Sequence, residues 1–352
     1  MADLVVGLKR ATWALILLLA TALAMPTGGY AQDEILPRPA YQADRATEAL
    51  VLDLTRAGSG WVAVGERGHV LLSDDGENWA QADFVPVQAT LTRVTAQDGH
   101  MWAVGHDATI IHSHDGGQTW DLQLFLPELE QPFLDIYFED RDNGFVIGAY
   151  GIFMVTDDGG ESWRELNMAD LVVSEAIDWD AVQARALAED PNGLGFDRGC
   201  YEFMECHLNA FLDLGNDRYM IAAERGYGFR SVDGGQTWES FRFAYSGSMF
   251  GLIEVPNGIL AYGLRGEVQL STDFGSTWAL LDSPTQSTLL GAAKDPDGTV
   301  LMVGSGAARL RYDPNTGQFN LTEDRLGNAL AGVAFASDGS AIYAGEEGVS
   351  HE

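Results

Sequence analysis

Ser113-His114-Asp115-Gly116-Gly117-Gln118-Thr119-Trp120 decides how this chain is read, because close relatives of it return along the sequence. They are Thr156-Asp157-Asp158-Gly159-Gly160-Glu161-Ser162-Trp163, Ser231-Val232-Asp233-Gly234-Gly235-Gln236-Thr237-Trp238 and Ser271-Thr272-Asp273-Phe274-Gly275-Ser276-Thr277-Trp278. A copy one residue shorter runs from Ser73 through Asp75 to Trp79. Self-similarity at a period of a few tens of residues marks a solenoid or a propeller.

A second landmark, the small residue closing a short apolar run such as Val62-Ala63-Val64-Gly65, gives the period. It falls at 65, 105, 148, 223, 263, 304 and 345, in steps of 40, 43, 75, 40, 41 and 41 residues. Seven units follow. Short apolar runs separated by Gly/Asp turns at this spacing describe four-stranded blades, so the expected fold is all-β: a seven-bladed β-propeller with one short helical insert that carries a disulfide. Apolar residues at consecutive positions of the second strand fit a sheet covered on both faces. Within the repeat, Asp75, Asp115, Asp158, Asp233 and Asp273 suit turns in which the carboxylate accepts backbone N–H groups, while Trp79, Trp120, Trp163, Trp238 and Trp278 offer large rings to the gaps between blades. These residues are read as structural.

Only seven residues follow Gly345, fewer than a full unit needs. The stretch from Leu36 to Ala46 is expected to supply a strand clasp between the two ends of the ring. Before it, Lys9-Arg10, the apolar run Ala11 to Ala24 and the small residues Gly29 and Ala31 read as a secretory signal peptide cut after Ala31. The apolar run is short for a membrane span, and the lack of a cysteine near the cut argues against a lipoprotein. The expected organisation is a signal peptide at 1–31 and one propeller at 32–352, periplasmic or secreted, monomeric, with no membrane span after cleavage.

Export gives meaning to Cys200 and Cys206, which lie in the long step of the period and are expected to form a local disulfide. The insert, about residues 168–206 between blades 3 and 4, has helix-favouring composition over Met168 to Asp190. It is a connection from an outer to the next inner strand, so it shares a face with the turns that follow each landmark. Those turns present Arg67, Arg225 and Arg265 at one equivalent position, with His106, Asp107, Tyr150 and Glu224 on the same face. Arginines displayed in this way suit a carboxylate or an acidic strand of a partner; neighbouring glutamates can equally pair with them at a solvated rim.

The chain carries 20 Lys+Arg against 52 Asp+Glu, a formal charge of −32, and its only lysines are Lys9 and Lys294. Such a surface repels nucleic acid and anionic lipid. There is no phosphate loop, paired-cysteine zinc spacing, HExxH or GxSxG elbow. His106, His112 and His114 cluster only because one strand and its turns pass there, and no metal or cofactor is expected.

Val64-Gly65-Glu66-Arg67-Gly68-His69-Val70-Leu71-Leu72-Ser73-Asp74-Asp75-Gly76, Val85-Pro86-Val87-Gln88-Ala89-Thr90-Leu91-Thr92 and Trp102-Ala103-Val104-Gly105-His106-Asp107-Ala108 resemble the Ycf48/Hcf136-like family of BNR, or Asp-box, propellers. The resemblance covers about Ala49 to Gly348. It implies seven blades and a non-enzymatic assembly factor: photosynthetic members serve photosystem II, and exported relatives elsewhere often accompany RND-type transporters. The expected role is therefore an interaction scaffold for a protein complex of the cell envelope. A sialidase-like or other glycoside hydrolase drafting Tyr150, Glu224, Asp107, Arg67, Arg225 and Arg265 is one alternative, although Leu36-Pro37-Arg38-Pro39 does not reproduce the sialidase arginine segment. A carbohydrate- or small-ligand-binding propeller is the other. No catalytic residue is assigned.

Overall fold

Alternate residues of each second strand face opposite neighbours, and this pattern builds the whole molecule. Val62 and Val64 enter the gap between blades 1 and 2, whereas Ala63 and Trp61 enter the gap between blades 7 and 1. Met101 and Ala103 likewise face blade 1 while Trp102 and Val104 face blade 3. The result is a ring of apolar clusters, one in each blade-to-blade gap. A sheet buried on both faces needs such continuous apolar runs.

The computed structural model describes residues 35–172 and 206–352. Among these, seven antiparallel sheets follow one another in chain order, six of four strands and one of three. The inner strands are Val51–Ala57, Leu91–Gln97, Phe133–Phe138, Leu208–Asp213, Met249–Val255, Leu289–Lys294 and Leu330–Phe335. Each pairs with the strand that ends at a landmark, and the ladder shifts after its first pair, as at Val51 and Asp53. The expected seven-bladed propeller is what the chain forms.

The Asp-box turns have a regular geometry. Ser113 Oγ accepts from Gly117 N–H at 3.0 Å and donates to Asp115 Oδ1 at 2.9 Å, while Asp115 also accepts from Thr119 N–H at 3.0 Å. Gly117 has φ 85°, a left-handed conformation that favours glycine. Trp120 is 1% exposed and donates its indole N–H to Gly117 O at 2.8 Å. Asp158 and Asp233 make the same contacts with Ser162 and Thr237.

Ring closure differs from the expected strand clasp. The seventh sheet stops at three strands, Leu330–Phe335, Ala341–Gly345 and Gly348–His351, and residues 37–46 form no strand. That segment instead straps the outer edge of blade 1. Ala40 N–H donates to Val85 O at 2.9 Å, Gln42 Nε2 to Ala82 O at 2.7 Å, and Ala43 N–H to Gln81 Oε1 at 3.0 Å. The physical reason lies in the side chains: Gln42 and Gln81 complete each other's backbone bonds beside a two-residue outer strand that offers little ladder of its own. Blades 7 and 1 are then joined by burial, through Ala46, Leu54, Trp61, Leu71, Ile342 and Ala344, and by Arg56 Nη2 donating to Ser337 Oγ at 3.2 Å.

The insert is described only at its ends. Met168–Leu171 forms a single helical turn with Met168 fully buried. Leu171 O accepts from Trp238 N–H at 3.0 Å, so the departing chain is pinned to the Asp box of blade 4. The expected helical excursion over 173–205 and the Cys200 half of the expected disulfide lie outside the described residues; Cys206 is 2% exposed. Among the described residues no helix is long and apolar enough to cross a membrane.

Candidate partner-binding face

One hydrogen bond repeats in every blade and defines a face. The first residue of the turn after each landmark donates its N–H to the carbonyl just ahead of the inner strand. The pairs are Glu66 to Leu50 (3.0 Å), His106 to Thr90 (2.9 Å), Ala149 to Pro132 (2.9 Å), Glu224 to His207 (3.2 Å), Leu264 to Ser248 (3.0 Å), Ser305 to Thr288 (2.9 Å) and Glu346 to Ala329 (3.1 Å). The turns and the blade-to-blade connections, including both ends of the insert, therefore share one side of the disc. The landmark is glycine where the approach is tightest: a Cβ on Gly65 would lie 2.0 Å from Leu50 O and one on Gly304 1.9 Å from Thr288 O. Blade 4 carries Ala223 instead, and its bond is the longest of the seven.

The second residue of the turn is the display position. Arg67, Asp107, Tyr150, Arg225 and Arg265 all sit there with φ between 54° and 60°. Left-handed backbone at a non-glycine residue costs roughly 1 kcal/mol and persists only where surrounding structure enforces it. Here the repeated turn enforces it, so side chains at this position leave the disc in equivalent directions. Arg67, Arg225 and Arg265 are exposed. Arg67 Nε is 4.0 Å from Glu66 Oε2, with the arginine side chain 77% exposed, a loose rim pair that contributes little.

Blades 3 and 4 bring together residues that the sequence placed separately. Tyr150, 55% exposed, meets the edge of the His207 ring at a centroid distance of 4.9 Å. His207 Nδ1 lies 3.5 Å from Glu224 Oε1, and its backbone N–H donates to Glu224 Oε2 at 3.2 Å. Arg242 stacks on Tyr227 at 3.7 Å one strand further out. This aromatic and charged group stands where the chain returns from the insert. His106 and Asp107 occupy the same face on blade 2, the former exposed. Arg67 lies on blade 1, away from the neighbouring blades 4 and 5 that carry Arg225 and Arg265, so the three arginines are spread around the ring.

Sequence reasoning missed the wall beneath this face. The third residue of the inner strand is Asp53, Arg93 and Asp135 in blades 1 to 3, and Ala210, Gly251, Gly291 and Gly332 in blades 4 to 7. Arg93 Nη1 lies 3.4 Å from Asp53 Oδ1, and Arg93 Nε 3.0 Å from Asp135 Oδ1. Asp53 Oδ2 accepts from Val94 N–H at 2.9 Å and Asp135 Oδ2 from Phe211 N–H at 2.7 Å, each reaching the next blade's backbone. Burial raises the Asp53 carboxyl above its ordinary value against the pull of Arg93, while Asp135 and Asp53 hold the Arg93 guanidinium firmly charged. Burial also pushes the Tyr262 hydroxyl up to about 12, with Arg93 opposing and the two carboxylates reinforcing the rise. Aligning the units residue by residue was the available signal, since a charge at this slot breaks an otherwise small-residue column.

Comparison with known proteins places this architecture. Residues 121–184 match the family model described as photosynthesis system II assembly factor Ycf48, and residues 111–122 match the BNR/Asp-box repeat. The photosystem II assembly lipoprotein Ycf48 of Synechococcus sp. (strain CC9902) is 25% identical over 235 residues, covering 65% of this chain and 60% of that protein. The solved structure of Ycf48 bound to D1 peptide superposes with a TM-score of 0.62 at 19% identity, covering 90% of this chain and 98% of the other. Streptogramin B lyase reaches 0.64 at 13% identity, covering 87% and 93%, so the fold by itself serves enzymes and non-enzymes alike.

Proposed function

Taking the chain as a Ycf48-like BNR β-propeller, we propose that it is a non-enzymatic scaffold that holds a segment of a protein partner against the face of the inter-strand turns. The repeated left-handed display position carries this reading: Arg67, Arg225, Arg265 and Tyr150 are held outward by identical turns, a rigid presentation that lowers the ordering cost of binding. The relative solved with a peptide supports a peptide-sized guest. The finer reading is that the guest belongs to a membrane protein complex of the envelope, reached by export through the 1–31 leader, with a Cys200–Cys206 bridge bracing the insert. Guanidinium groups and an exposed tyrosine suit a guest that offers carboxylates and aromatic rings.

Capture from crosslinked native envelopes tests the assignment. Changing Arg67, Arg225, Arg265 and Tyr150 together to alanine is expected to abolish recovery of the partner while leaving thermal unfolding unchanged, because all four are exposed. Undiminished recovery overturns the face. Turnover of a glycoside panel that disappears in Arg225→Ala overturns the non-enzymatic reading in favour of a hydrolase.

A further inference from the structure

Blade 2 gathers three histidines on one sheet face, far from the turns discussed above. His100 opens the strand His100–Gly105, and His112 and His114 lie two apart at the end of the next strand, Thr109–Ser113, and in the turn beyond it. The register Trp102↔His112 and Met101↔Ser113 sets His100 opposite His114, and His112 faces Asp121 on the outer strand. Cross-strand partners share a face, so all four side chains belong to one side of the blade.

His100 Nδ1 and His112 Nε2 stand 2.8 Å apart. The ring planes are within 6° and the centroids 5.1 Å apart, so the two imidazoles meet edge to edge, with one N–H shared between two nitrogens. Trp102 flanks both rings, at 5.7 Å and 5.0 Å, and closes one side of the pair to water. The exposed His114 ring lies 6.2 Å from His112. Burial, then the His100 and His114 rings, hold His112 down to about 4. Asp98 and Asp121 from blade 2 and Arg141 and Asp142 from the facing turn of blade 3 complete the charged surroundings.

We propose that His100, His112 and His114 form a site for a borderline divalent transition-metal ion, of the copper(II), nickel(II) or zinc(II) class. Two nitrogens each about 2.0 Å from one ion and at right angles to it are themselves about 2.8 Å apart, so the spacing of the pair needs little change, while each ring turns off the shared N–H line to aim its lone pair at the ion. The donor ring moves its proton to its outer nitrogen, which frees both facing lone pairs with no net proton release. Rotation of exposed His114 supplies a third nitrogen, and Asp121 or water a fourth ligand. Among the described residues no three such groups already converge, so the site closes on the ion. Imidazole donors select against calcium and magnesium.

Titration of the full chain with copper(II), nickel(II) and zinc(II) salts, followed by calorimetry with millimolar calcium present, tests this. One ion per chain is expected, with affinity falling by at least about 10- to 100-fold in His100→Asn and in His112→Asn, since losing a ligand costs no less than losing one of its ordering partners. Because half-buried His112 variants can weaken the blade, exposed His114→Ala is the second probe and is expected to lose affinity with its melting point unchanged. His106→Ala is expected to bind as the parent does. Binding that is absent, that calcium abolishes, or that survives unchanged in His114→Ala together with His100→Asn overturns the site.

Discussion

Two halves of the inner wall solve one geometric problem differently. In blades 1 to 4 the strands are stitched by side chains: Asp53 to Val94, Asp135 to Phe211, and Asn209 Nδ2 to Met249 O at 2.9 Å, with Arg93 between the two carboxylates. In blades 5 to 7 the third position of the inner strand is Gly251, Gly291 or Gly332: a Cβ on Gly291 would lie 2.5 Å from Ala331 O of the next blade, one on Gly251 would meet the Tyr262 ring at 2.0 Å, and one on Gly332 would meet nothing nearer than Leu54 Cδ2 at 3.4 Å. The period thus fixes a position without fixing its chemistry.

Breaking the charged half should have the largest effect. Arg93→Met leaves two buried carboxylates without their shared cation and is expected to cost about 3–5 kcal/mol in urea unfolding, because an uncompensated buried charge is worse than an absent pair. Adding Asp53→Asn and Asp135→Asn should recover part of that loss. Full stability in the single variant would show that the stitching is dispensable and that packing alone holds both halves.

The glycine half is tested by two substitutions that look alike in sequence. Gly291→Ala forces its new methyl against Ala331 O and Gly332 Cα, and is expected to destabilise by about 1–3 kcal/mol as an overpacked site. Gly332→Ala meets nothing nearer than Leu54 Cδ2 at 3.4 Å, and should change stability by less than about 0.5 kcal/mol. Equal effects in thermal melts would mean that the slot is not limited by close approach.

That contrast also separates what the sequence revealed from what it withheld. Blade number, strand order and the shared face of the turns and the two ends of the insert followed from the landmark spacing, because the repeat is set by local turn chemistry at residues such as Asp115 and Gly117. The display geometry of Arg67, Tyr150, Arg225 and Arg265 was half legible: their equivalence was visible, their left-handed backbone was not. The course of residues 37–46 was misjudged because Gln42 and Gln81 supply side-chain partners that hold the segment against the outer edge of blade 1. Arg93 with Asp135 and Tyr150 with His207 join different units, and His100 with His112 joins two strands of one unit, so the repeat pattern announces none of these pairings.

The smallest expected effect distinguishes blades by their turns instead of their inner strands. Asp158 is held down to about 2, chiefly because Ser162 donates both its hydroxyl and its backbone N–H to the carboxylate. Asp75, Asp115, Asp233 and Asp273 are lowered as well. A carboxyl lowered in the fold binds its proton more readily when the chain unfolds, so its stabilisation is complete above the unfolded value of 3.8 and fades as pH falls toward 2. Asp53 is raised and acts in the opposite sense, losing stabilisation as pH rises through its folded value. Five lowered turn carboxylates outnumber it, so the melting temperature is expected to fall between about pH 4 and pH 2. Asp158→Asn should flatten that fall slightly by removing one of the titrating turns. A slope identical in Asp158→Asn and in the parent would show that this turn does not carry the acid sensitivity.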